Sequence, residues 1–312
     1  MHTADRADGP HPTARPTRTP EEPTMIVVSG ATGNVGSALI GQLTATDTPV
    51  RALVRDPDRD PVRAHLPAAT DVTRLTVSAE PADMTAQFDG ADALFLHASV
   101  TGDHTAAFLA AARTAGVQHV TVLSSIAVED APDPEHESFI HTWHRALEQD
   151  VRDSGLDWTF LRPGVFATNT LQWARQIHAG DTVRGPYARG VLSPIHEADI
   201  AAVARHSLLE RHTRATHVLT GPEAITTEEQ IAAIARAIGR PLTYTEIPPQ
   251  DVVPDMFPLI PADLVPGFVA SLAATVDTAP PLTTTVQTVT GRPARTYAQW
   301  AQDHADDFRT KN

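Results

Sequence analysis

Two hydrophobic periods trade places along this chain. Short apolar runs, many of them β-branched, begin at Met25 and recur at 50–54, 73–78, 93–97, 119–124, 157–162 and 217–220, and each predicts a strand. Between them apolar residues fall at helical spacing: Val35, Ala38, Leu39 and Leu43 after the first run, then 105–115 and 139–152. Gly116 and Gly155 stand where a left-handed residue would stop those last two helices. Strands recurring with helical segments between them predict an α/β fold, a doubly wound parallel sheet of Rossmann type. After Arg162-Pro163-Gly164 the loops lengthen and the elements shrink, which predicts a smaller C-terminal α/β lobe over 163–312. Within it Thr226-x-x-Glu229 and Thr296-x-x-Gln299 have capping-box spacing, 242–247 reads as a strand and 248–266 as a loop. Trp300 and Phe308 on the last helix read as core anchors.

The junction between the first strand and the first helix carries the chemistry. It reads Ser29-Gly-Ala-Thr-Gly-Asn-Val-Gly36, a Gly-x-x-Gly-x-x-Gly turn. Gly30 permits the tight turn, Gly33 lets backbone approach a diphosphate, and Gly36 lets the helix pack against the sheet. Spacing alone is weak, but strand before, helix after and a second strand at βαβ distance make it a dinucleotide site. Gly30, Thr32, Gly33, Asn34, Val35 and Gly36 are the expected cofactor-binding residues there, with His97 and Ala98 at the end of the fourth strand.

Composition narrows the partners. The 312 residues carry a formal net charge of −14, which argues against a nucleic-acid backbone binder. No cysteine is present, so disulfides, thiolate nucleophiles and Cys-ligated zinc are excluded, as suits a reducing, cytoplasmic setting. No apolar stretch approaches the ~18 residues of a membrane span, and no signal-peptide core opens the chain, so neither membrane nor export is expected. Residues 1–24 hold five prolines, five threonines and almost nothing apolar, and read as a disordered tail. The nucleotide domain is therefore expected over 25–162. Partners are expected to be a small hydrophobic substrate and, compatibly, a second copy of the chain.

With that glycine turn, Val50-Arg-Ala-Leu-Val-Arg-Asp-Pro57, Ser154-Gly-Leu-Asp-Trp-Thr-Phe-Leu-Arg-Pro-Gly164 and Thr290-Gly-Arg-Pro-Ala-Arg-Thr296, the chain resembles the NmrA-like group of atypical short-chain dehydrogenases/reductases. The resemblance covers roughly residues 25–308, and Ser193-Pro-Ile-His-Glu-Ala-Asp-Ile-Ala201 resembles the segment in which that family returns to the nucleotide domain, here about 193–220. It implies binding of NAD(P)(H). Arg55 matches the basic position at the end of the second strand and predicts NADPH over NADH, with Arg51 a weaker second cation. The alternative is that Arg55 only pairs with Asp56 or Asp58 at the surface. The family's Gly-Asp after the third strand is replaced by Val77-Ser-Ala-Glu80.

The resemblance also exposes a gap, because the usual Tyr-x-x-x-Lys pair is missing. Aligning Glu148 with the family's helix glutamate puts His141 at the tyrosine position and Arg145 at the lysine position. His141, Arg145, Glu148 and Arg152 share one face of the helical wheel, flanked by His144, with Trp143 and Leu147 on the core side. That face is either simply solvated or a site in which His144 or His141 protonates the substrate oxygen while Arg145 holds a ribose or phosphate. Ser124 or Ser125 either polarises the substrate or merely caps the strand end. A metal is not expected, since His141 and His144 lack a carboxylate at a convincing spacing, and Asp199 reads as a helix cap.

Phe166, Asn169, Trp173 and Tyr187, with Met256, Phe257 and Phe268, are candidate pocket residues, and an aromatic-lined pocket would suit a planar quinone or polyketide-like substrate. The expected activity is NADPH-dependent reduction of a hydrophobic quinone, enone or carbonyl compound. A non-catalytic NADP(H) sensor docking a protein, and a non-redox cyclase or isomerase, are the alternatives.

Overall fold

The strands of the main sheet sort their side chains by parity, as a pleated ribbon requires. In β1 (Ile26–Val28), Ile26 and Val28 join the core on one face while Val27 joins the core on the other. The structure is a computed structural model describing residues 24–58, 66–128 and 139–309. The tail read over 1–24 thus lies outside the described residues, Thr24 excepted. After β1 come α1 (Asn34–Thr44), β2 (Val50–Val54), β3 (Asp71–Arg74), β4 (Ala93–His97), α2 (Thr105–Ala115), β5 (His119–Leu123), α3 (Phe139–Asp153) and β6 (Asp157–Pro163). The chain continues through α4 (Ala174–Ala179), β7 (Thr182–Gly185), β8 (Val191–Leu192), α5 (Glu197–Glu210) and β9 (Ala215–Leu219). It ends with β10 (Ile225–Thr226), α6 (Thr227–Ile238), β11 (Thr243–Glu246), α7 (Val265–Ala273), α8 (Thr285–Thr290), α9 (Tyr297–Asp303) and α10 (Ala305–Phe308).

Seven parallel strands form one sheet in the order β3-β2-β1-β4-β5-β6-β9. This is the doubly wound α/β fold that the alternation predicts. Helices α1 and α5 cover one face through Leu39, Ile40, Ile200 and Val203, while α2 and α3 cover the other through Phe108, Leu109, Leu147 and Val151. Strands covered on both faces read as near-continuous apolar runs, which is why so many were visible in the sequence. The strand order reverses between β1 and β4, so a crevice opens at their carboxyl ends.

The smaller lobe is built from two two-stranded sheets, β8–β10 and β7–β11, around Ile177, Val183, Ile231, Ile234, Tyr297, Trp300 and Phe308. Both capping boxes form: the Thr226 and Thr296 hydroxyls accept the backbone N–H of Glu229 and Gln299, whose side chains bond back. Two readings need correction. The third strand spans Asp71–Arg74 rather than 73–78, because β2 ends at Val54 and the Gln87 side chain takes both backbone groups of Thr76 at 3.0 Å. Asp199 does not cap a helix. His196 caps α5 by accepting the Ala198 N–H, while the Asp199 carboxylate accepts the Arg295 N–H at 2.6 Å and pairs with its guanidinium.

Candidate functional site

At the crevice, Gly30 takes φ = +63° and closes the turn by accepting the Gly33 N–H at 3.0 Å. The turn is so tight that a methyl at Gly36 would lie 2.2 Å from the Gly30 carbonyl oxygen. α1 starts with Gly33 as a cap that offers no side-chain acceptor and with no acid in its first turn, so the positive end of the helix is left for an anion. A cleft of about 460 Å³ opens there, lined by Gly30, Thr32, Gly33, Arg55, Leu75 and His97. Val35 and Gly36 lie beneath it, buried in the packing of α1, and Asn34 is exposed at the helix start. Ala98 is buried, and Ser99 and Val100 reach the cleft in its place.

Arg55 is exposed on the cleft wall, and among the described residues Asp56 and Asp58 pair with Arg74 instead, at 3.8 and 3.1 Å. Arg51 is not a second cation for the cofactor. Its guanidinium binds Asp71 at 2.6 Å and the Asp89 carbonyl at 2.8 Å, tying β2 to its neighbours.

His97 ends β4 and packs on the turn so closely that a methyl at Gly30 would meet its Cβ at 2.8 Å. The Ser99 backbone N–H, which can only donate, points at His97 Nδ1 at 3.2 Å, so the neutral ring carries its hydrogen on Nε2. Burial lowers the His97 pKa. Burial likewise pushes His144 down to about 4, against the pull of Glu148 and helped by the nearby His97. His144 Nδ1 is buried and has no hydrogen-bond partner among the described residues. Both rings are thus held toward the neutral form, with His144 in electrostatic range of the crevice residue His97.

The other residues aligned with the missing catalytic pair do different work. His141 is buried, and its Nδ1 donates to the Ala127 carbonyl at 2.7 Å, fixing the loop after β5. Ser124 is also buried and donates its hydroxyl hydrogen to Glu148 Oε1 at 2.7 Å, so that proton is not directed at a substrate. Ser125 accepts the Ala127 N–H, a strand-end cap. Glu148 is fully buried, and Arg162 at 2.7 Å and Arg152 at 2.9 Å hold it. Burial pushes its carboxyl up, but the bonds from Arg162 and Ser124 and the nearby positive charge pull it below the usual range. The polar face of α3 is therefore not simply solvated. Arg145 is exposed and lines neither this cleft nor the next.

A second cleft of about 260 Å³ opens beyond the carboxyl ends of β5 and β6, between Ile126, Val165 and Leu192 on one side and Ala279, Pro280 and Pro281 on the other. Among the described residues no aromatic side chain lines it, and the proposed pocket residues lie elsewhere. Trp173 is core in the smaller lobe, Phe166 packs on the main core, and Asn169 is exposed. Tyr187 packs with Met256, Phe257 and Phe268 in a satellite cluster. Sequence reasoning missed the 274–281 strap, whose one signal was the Ala279-Pro-Pro281 run in a segment without periodicity. Among the described residues no group of three or more His, Asp or Glu is placed to hold a metal ion, and no helix is long and apolar enough to cross a membrane.

The profile of the NAD(P)H-binding family matches residues 30–211, from the glycine turn to the end of α5. A Streptomyces griseus (4-alkanoyl-5-oxo-2,5-dihydrofuran-3-yl)methyl phosphate reductase is 38% identical over 294 residues, covering 91% of this chain and 99% of its own. The chain belongs to the NAD(P)H-binding, NmrA-like family of atypical short-chain dehydrogenases/reductases. Xenophilus azovorans NAD(P)H azoreductase is 33% identical to this NmrA-like protein over 304 residues, with 91% and 99% coverage. Among solved structures, an Escherichia coli NADPH-dependent quinone oxidoreductase complexed with NADPH shares the fold, with a TM-score of 0.71 at 23% identity and coverage of 89% and 99%. A mutant NmrA does so with a TM-score of 0.67 at 19% identity and coverage of 91% and 95%. The NmrA-like crevice fits the coenzyme: an uncapped helix start for the diphosphate, a turn too tight for any Cβ at Gly36, and an arginine on the cleft wall.

Proposed function

We propose that this NmrA-like protein is an NADPH-dependent reductase of hydrophobic conjugated carbonyl compounds, enones or quinones. One observation carries the choice of substrate: among the described residues, neither His144 nor Ser124 is held as a ready acid. His144 is neutral near pH 7 because burial holds its pKa at about 4, and the Ser124 proton is spent on Glu148. A simple ketone places its full negative charge on one oxygen and needs an acid there, whereas a conjugated acceptor spreads the charge.

Held by the glycine turn, the start of α1 and Arg55, NADPH would supply the hydride, and water would supply the proton that completes reduction of the conjugated acceptor. The protein's part is chiefly to orient the partners. The Nε2–H of His97 and the half-buried ring of His144 offer neutral hydrogen bonds to that oxygen or to the coenzyme. Arg55 supports NADPH over NADH, as a free guanidinium suits a 2′-phosphate. The names of the relatives agree with this reading, since the Streptomyces griseus enzyme is named for a ring whose double bond is conjugated to carbonyls.

Following NADPH absorbance with 2-alkanoylbutenolides, quinones and simple ketones tests the reading. Stoichiometric NADPH loss with the first two classes and not the third is the expected result. Tight NADPH binding without turnover on any acceptor would replace it with a cofactor sensor. Product formed without net NADPH consumption would replace it with an isomerase or cyclase.

A further inference from the structure

We infer that the cleft beyond β5 and β6 is a socket for an aliphatic tail of the substrate, an alkyl or alkanoyl chain, closed on its outer side by the strap 274–281. The inference rests on the reductase reading and adds to it the part of the substrate that does not react.

The lining is mostly aliphatic, and two of its three hydroxyls, those of Ser193 and Thr275, are turned to other work. The Ser193 hydroxyl donates to the Pro281 carbonyl at 3.0 Å, the Thr275 hydroxyl to the Leu272 carbonyl at 2.7 Å, and the Thr275 carbonyl accepts the Val191 N–H at 2.9 Å. These bonds also stitch the strap across β8. Pro280 and Pro281 have no N–H to satisfy, and Ala279 has almost no side chain, so this wall does not fill the space. Opposite it, Ile126, Val165 and Leu192 are only half-buried, apolar surface that folding leaves uncovered.

Position decides the occupant. Ile126 follows the end of β5 and Val165 the end of β6, so the socket opens on the same carboxyl edge of the sheet as the coenzyme cleft, further along from the switch point. A molecule reacting over the β4–β5 edge extends naturally into it. Among the described residues none of the lining is charged or aromatic, which leaves a charged group unpaired and a second ring without a stacking partner. A saturated chain asks for neither.

Calorimetric titration of the NADP⁺-saturated protein with 2-alkanoylbutenolides, from acetyl through butanoyl and hexanoyl to octanoyl, tests the socket without requiring turnover. Affinity is expected to rise about fourfold per methylene until the space is full. Ala279→Phe, at an exposed position, is expected to return the longer members to the affinity of the acetyl compound, and Ala274→Leu to end the rise at a shorter chain. Unchanged thermal melting checks the folding of each variant. An affinity flat with chain length, no binding by any member, or a rise untouched by both substitutions would overturn the socket. A chain-length rise with no NADPH oxidation overturns the reductase reading and leaves the socket standing. Turnover without the rise overturns the socket alone.

Discussion

Two arginines close in sequence show how partners decide a residue's role. Arg51 and Arg55 both lie at the second strand, yet Arg51 is spent on Asp71 and backbone carbonyls while Arg55 faces the coenzyme cleft. The carboxylates that might neutralise Arg55 are drawn off by Arg74. Arg55→Ala should therefore cost about 1.5–3 kcal/mol of NADPH binding, the scale of a charge-assisted hydrogen bond, or roughly 10- to 160-fold in Kd. NADH binding should be almost unchanged, and titration of the variant with both coenzymes checks this; equal losses would remove Arg55 from the 2′-phosphate. Ser124 teaches the same lesson in reverse. Its position at a strand end suggested chemistry, but the buried Glu148, locked by Arg162, takes its proton. Which hydroxyl is free depends on a partner 24 residues away, and no local pattern reports that.

At the scale of elements, the turn into α1 makes a contrast between two glycines of one helix. A methyl at Gly36 would strike the Gly30 carbonyl at 2.2 Å, backbone against backbone, whereas at Gly41 nothing lies within 4 Å. Gly36→Ala should destabilise by about 1–3 kcal/mol, the usual cost of overpacking, and weaken NADPH more than tenfold by displacing the phosphate turn. Gly41→Ala should instead stabilise by about 0.5–1 kcal/mol. Urea melts with coenzyme titrations check the pair, and similar effects at the two positions would show that the close approach at Gly36 does not matter. Elements of this kind were legible because their signals are local: the glycine spacing, the two capping boxes, and the glycine that ends α2 at φ = +103°. β3 was misplaced because its end is set by the length of β2 and by the distant side chain of Gln87. The burial of Glu148 on α3 was not legible because a helical wheel shows which residues are neighbours, not that Arg162 from β6 would come to bind Glu148. The second cleft was not legible because its walls come from four separate stretches of chain, and aromatic residues are as useful to a core as to a ligand.

Across the whole molecule, a charge network joins α5, which covers the main sheet, to the C-terminal helices of the smaller lobe. The Glu197 carboxylate meets His304 Nε2 at 2.7 Å, His196 at 3.3 Å and the Trp300 indole N–H at 3.1 Å, while His304 Nδ1 contacts Asp307 at 2.8 Å. Burial pushes the Glu197 carboxyl up, but the neighbouring His196 and His304 rings prevail and hold it well below its ordinary 4.5. Burial pushes His304 down, but its bonds to Glu197 and Asp307 prevail and hold it above 6.5. A depressed carboxyl contributes stability above its unfolded pKa and loses it as pH falls through the folded value. A raised histidine contributes fully below its unfolded pKa and loses that as pH rises through the folded value. Both contributions are complete together only between about 4.5 and 6.5. Glu197→Gln keeps the size and removes the charge, so it should cost about 1.5–3 kcal/mol inside that window. The gap from the parent protein should narrow on the alkaline side as His304 in the parent loses its proton. Thermal melts of both proteins from about pH 5 to about pH 9 measure the gap directly, and a gap constant across that range would mean the network holds the lobes by packing alone.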